Sequence, residues 1–108
     1  MHCVYTQTNG ELRIFFNDNG YEQREEYDAI INVMWVKDTV VKLRGAHGKF
    51  TKQSMLAAYQ ACEKLGATHV IADRAKGRKL PFADLVETGE YENVWQVNLL
   101  DLKAKGLI

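Results

Sequence analysis

Residues 44–52 read Arg44-Gly45-Ala46-His47-Gly48-Lys49-Phe50-Thr51-Lys52. A β-rich apolar run precedes them and a helical pattern follows. Cations, glycines and a hydroxyl at the start of a helix suit one kind of chemistry, the holding of an anion. The first N–H groups of a helix have no intrahelical acceptor, and the helix dipole favours negative charge there. A second cationic cluster, Arg74, Lys76, Arg78 and Lys79, contains no acid and could grip a phosphate. The candidate anion or cofactor contacts are Arg44, Gly45, His47, Gly48, Lys49, Thr51, Arg74, Arg78 and Lys79. The same glycines also suit a plain strand-to-helix turn, and the same cations suit a solvated surface.

Other chemistry finds less support. A Walker A loop needs four residues between its first glycine and Gly-Lys, with Ser or Thr directly after the lysine. Here two residues intervene and Phe50 follows the lysine, so nucleotide hydrolysis is rejected. As a general base His47 needs an orienting partner, and Asp73 serves only if the two segments meet. No catalytic residue is assigned. His2, His69, Cys3 and Cys62 have no metal-ligand spacing, so no metal site is expected. Cys62 falls on an apolar helical stripe and reads as a small buried hydrophobe.

The elements that must position these residues follow from periodicity. Asn9-Gly10 is a hairpin signal between residues 3–7 and 11–16. Residues 21–28 read as a polar loop or one helical turn. Residues 29–36 form a β-rich run, Lys37-Asp38 reverses the chain, and residues 39–44 return. Thr51 caps a helix that Gly66 ends, with Met55, Ala58, Tyr59, Cys62 and Leu65 forming one buried stripe. Residues 68–72 form a strand. Pro81 suits a first helical position, so 81–88 is expected to be a short helix stopped at Gly89. Residues 94–100 form the last strand, with Trp95, Val97 and Leu99 on one face. The tail is a short helix or frayed. Strand, helix and strand over 39–72 make a crossover, so 39–44 and 68–72 should be parallel, with the segments after them at one sheet edge. His47, Gly48 and Lys49 would then face Arg74, Lys76, Arg78 and Lys79. The fold class is therefore α/β (α+β): a mixed, mostly antiparallel sheet of five or six strands, one main helix and one short helix.

The chain has 108 residues, the size of one domain with one core. It carries 14 lysines and arginines against 14 aspartates and glutamates, so bulk charge does not favour a nucleic-acid binder. Charge is blocked along the chain. Asp18, Glu22, Glu25, Glu26 and Asp28 cluster, as do Asp84, Glu87, Glu90 and Glu92, and basic segments lie between them. Such blocks suit solvated faces or complementarity with a partner or a second copy. No run is long and apolar enough to span a bilayer, and no signal peptide is visible, so a cytoplasmic location is expected.

The order of elements resembles the C-terminal two-thirds of the GNAT superfamily of N-acetyltransferases. Residues 11–16, 29–36 and 39–44 would be its antiparallel meander. Gly45–Lys49 would be its pyrophosphate loop, 51–65 the following helix, and 68–72, 81–88 and 94–100 the remainder. The resemblance implies acetyl-CoA as cofactor, and Tyr91 lies near where the family often carries a tyrosine acid. The family's loop motif departs here: counted from Arg44, its glycine falls on His47 and its last small residue on Lys49. The short chain also looks like the small accessory proteins of tailed phages, which would place it in a host cytoplasm.

Because the loop motif is missing, the expected function is that of a non-catalytic binding or accessory protein without a cofactor. It would act on a protein partner or on itself, most simply as a homodimer. The alternative is a reduced GNAT-type acyltransferase using acetyl-CoA. A nucleic-acid-binding accessory is a third and less favoured reading.

Overall fold

The computed structural model describes residues 1–108 except Thr6, Asp18 and Glu25. Six strands and two helices follow in order: β1 (Asn9–Ile14), β2 (Ala29–Lys37), β3 (Val40–Gly48), α1 (Lys52–Lys64), β4 (His69–Ala75), β5 (Asp84–Thr88), β6 (Glu92–Asn98) and α2 (Leu99–Ala104). They form one sheet in the order β1-β2-β3-β4-β6-β5. Every neighbouring pair is antiparallel except β3 and β4, which run parallel through the α1 crossover. The expected mixed sheet with one main helix is therefore present.

Alternation explains which face is covered. Ala29, Ile31 and Val33 of β2 are buried, as are Val41 and Leu43 of β3, Val70 and Ala72 of β4, and Val97 of β6. Successive strand residues point to opposite faces, so all of these line one face. Met55, Ala58, Tyr59 and Cys62 of α1 are buried there too, three or four residues apart. Thr51 caps α1: its side chain accepts from the Ser54 N–H, and the Ser54 hydroxyl accepts from the Thr51 N–H. Asn98 caps α2, whose Leu99 and Leu102 complete the core on the same side.

Four expectations are corrected. No strand is found in the described part of residues 3–7, Thr6 lying outside the described residues; Asn9 and Gly10 begin β1 instead of turning a hairpin. Asp18 and Glu25 of the acidic segment also lie outside the described residues. The helix expected over 81–88 is a turn followed by β5. Phe82 has φ +61°, a left-handed geometry that a right-handed helix cannot contain, and Asp84, Leu85, Glu87 and Thr88 pair with β6 around a bulge at Val86. The tail is helical from Leu99, so the last strand stops at Asn98. Leu65 is 61% exposed, because it is the C-cap of α1 and leaves the stripe as the helix ends.

Candidate functional site: the splay between β3 and β4

The parallel pairing of β3 with β4 runs from Val40↔His69 to Leu43↔Ala72 and then stops. Both strands continue, β3 to Gly48 and β4 to Ala75, each paired on its outer side. Between them the sheet opens. The cause lies in β3. Ile30 pairs with His47 and Asn32 with Arg44, so Gly45 and Ala46 together face the single residue Ile31. This is a bulge, which bends its strand and raises the local twist. Gly45 has φ +59°, and a Cβ there would meet the Asn32 amide nitrogen at 2.9 Å. Only glycine fits this position without strain.

The opening is a cleft of about 210 Å³ lined by Ile31, Leu43, Arg44, Gly45, Ala46, Ala72, Asp73, Arg74 and Leu80. Its inner wall is apolar and its rim carries two guanidinium groups and one carboxylate. Asp73 pairs with Lys42 at 3.0 Å, side by side on the face away from α1. Arg74 lies on the α1 face, where its Nε is buried without a partner among the described residues. An unpaired buried donor of a charged group is costly, so this nitrogen needs an acceptor, which an ordered water or a ligand would supply. The Trp95 indole N–H, on the strand beside Ala72, is likewise buried without a partner among the described residues.

The floor of this region is tied down by Tyr59. Its hydroxyl donates to the Pro81 carbonyl at 2.8 Å and so fixes the chain after β4 against α1. Burial pushes the Tyr59 phenol well above its usual range, with the Cys62 thiol adding to the rise and Arg74 opposing it. Burial also pushes Cys62 up to about 11. Neither group is poised to ionise near neutrality.

The sequence-derived site residues separate into two sets. Arg44, Gly45 and Arg74 meet in the cleft. His47, Gly48, Lys49, Thr51, Arg78 and Lys79 do not line it. The segment expected as a glycine loop, Gly45–Lys49, is largely the end of β3. Gly48 has φ +108° and abuts β2: a Cβ on it would lie 2.4 Å from the Asp28 carbonyl oxygen and 2.7 Å from the Ala29 Cα. That glycine serves strand contact. The Lys49 N–H is spent on the Asp28 carbonyl. Asp73 is paired with Lys42, and no His47–Asp73 hydrogen bond occurs among the described residues. Tyr91 is 78% exposed beside the end of β4, its carbonyl accepting from the Lys76 N–H. No group of three or more metal-ligating side chains occurs among the described residues, and no described helix is long and apolar enough to cross a membrane. Sequence reasoning missed the bulge and the wall residues Ile31, Ala46, Ala72 and Leu80. The available signal was Gly45 within a strand pattern, which marks a bulge or a close approach.

No protein-family model matches this chain, and no curated protein matches it. Solved structures do resemble it. The Campylobacter jejuni N-acetyltransferase PseH, in complex with acetyl coenzyme A, aligns with TM-score 0.56 and 12% identity over 77% of this chain and 63% of its own. The PaiA N-acetyltransferase from Thermoplasma acidophilum, in complex with coenzyme A, aligns with TM-score 0.55 and 10% identity over 74% of this chain and 65% of its own. This chain therefore spans less than two thirds of the length of either. The likeness shows the fold, which is GNAT-like.

Proposed function

We propose that this protein binds a coenzyme A thioester in the β3–β4 splay and passes its acyl group to an amine. The carrying observation is the splay itself, with the buried, unpartnered Arg74 Nε on its wall. A similar overall fold in two N-acetyltransferases bound to coenzyme A or acetyl coenzyme A supports the reading. It favours an acyltransferase over the non-catalytic accessory protein expected from the sequence.

The residues present fit such a group. Beyond Leu43 and Ala72, the facing edges of β3 and β4 no longer pair with each other. An arm bearing amides can add to such an edge as a short strand does. Arg44 and Arg74 place positive charge at the rim. α1 starts at the same end of the sheet, just after β3, and its first turn holds no acidic residue. The N–H groups of Thr51 and Ser54 are used by the cap, and those of Lys52 and Gln53, in the first turn, would be the ones to meet phosphate oxygens. When bound, the thioester supplies an activated acyl carbon. The acceptor amine attacks in its neutral form, and coenzyme A leaves as the free thiol as the amide bond forms.

The test is paired. Thermal unfolding with and without acetyl-CoA reads binding, since a ligand of the native state alone raises the melting temperature. Release of free thiol from acetyl-CoA, with a panel of primary amines, reads transfer. A rise in melting temperature with amine-dependent thiol release supports the proposal. A rise without thiol release restricts it to a binding protein, and no rise at millimolar acetyl-CoA removes it.

A further inference from the structure

Both described helices cover the same face of the sheet. They lie with the buried residues of β1, β2, β3, β4 and β6. On the opposite face one row crosses all six strands: Asn9, Met34, Lys42, Ile71, Gln96 and Asp84. Ile30, Met34, Val40, Ile71 and Val94 give this face a half-buried apolar centre. Charge on it is divided by position. The β1–β2–β3 half carries Arg13, Lys42 and Arg44 against Glu11. The β4–β6–β5 half carries Asp73, Asp84, Glu87 and Glu92, with no lysine or arginine among its described residues on that face. The boundary between the halves, β3 against β4, is the middle of the sheet.

We infer that this bare face is covered by a second copy of the chain, through a two-fold axis running along the strands over the β3–β4 boundary. That operation lays the cationic half of each copy on the acidic half of the other. Lys42 and Arg44 then stand over Asp73 of the second copy. A two-fold axis across the strands would lay each half on its own kind, which like-charge repulsion disfavours. Six strands at ~4.8 Å spacing and about 20 Å of strand length give roughly 600 Å² of projected face. A textured surface exceeds its projection, so the face approaches the ~800 Å² per partner of a stable interface. The arrangement does not depend on coenzyme A binding.

Sedimentation of the intact protein from about 10 to 500 μM tests this. The expected result is a species of twice 12.3 kDa whose dissociation constant rises more than tenfold between low and high salt. Ile71→Glu should give a monomer that still melts cooperatively, since Ile71 is only half-buried. Asp84→Lys with Glu87→Lys should weaken the dimer at least tenfold by removing acidic charge from one half. A monomer at 500 μM overturns the inference. So does a dimer that survives both Ile71→Glu and high salt, because it must use another surface.

Discussion

The proposed coenzyme A site rests first on Arg74. Its Nε is buried without a partner among the described residues, beside a cleft that can admit one. Arg74→Met keeps most of the aliphatic stem and removes the donors. It should weaken acetyl-CoA binding by about tenfold, ~1.4 kcal/mol, in calorimetric titration. Unchanged affinity would remove Arg74 from the site. Cys62 offers an independent check on the core. Its thiol is raised from 9.0 to about 11 by burial, and the thiolate is the reactive form. A thiol reagent at pH 8 should therefore modify the exposed Cys3 quickly and Cys62 only after unfolding. The sign for stability follows from linkage. The native state holds this proton more tightly than the unfolded chain, so the contribution is complete below about pH 9 and is lost as pH rises toward 11. The Tyr59 phenol, also raised, acts in the same direction. Denaturant midpoints falling through that alkaline window, more steeply than in Cys62→Ala, would match.

At the scale of elements, the β3 bulge opens the cleft. Gly45→Val puts a β-branched residue at φ +59° against Asn32. It should reduce stability by ~1–3 kcal/mol in chemical denaturation and lower acetyl-CoA affinity more than Arg74→Met does, because it deforms the cleft itself. Stability loss with unaltered affinity would separate the bulge from the site. Helix α1 was legible in sequence because its signals agree: Thr51 caps it, Met55 to Cys62 recur at helical spacing, and Gly66 follows its end. The parallel pairing of β3 with β4 followed from the crossover. The bulge was not legible, because one extra residue in β3 depends on what lies opposite it in β2. Gly45 and Gly48 looked like a loop, yet each answers to a β2 contact. The β5 strand was missed because Pro81 resembles a helix start, while the left-handed Phe82 that forbids the helix is fixed only by tertiary packing. Arg44, Gly45 and Arg74, picked out by type and topology, line the cleft. The apolar wall was hidden, since a wall residue looks like any other core residue.

At the scale of the whole molecule, a one-sided sheet with a central split joins both proposals. The helices close one face; under the two proposals the split would admit an arm between β3 and β4, and the charge-divided face would meet a second copy. The central claim is that the split holds a coenzyme A thioester. The most direct measurement is a titration of the isotopically labelled protein with acetyl-CoA, followed through its backbone amide resonances. The account predicts saturable shifts concentrated at residues 43–46, 52–53 and 72–75, the two splayed edges and the first turn of α1. No shift at millimolar acetyl-CoA, or shifts confined to residues 12–27 away from the split, would contradict it.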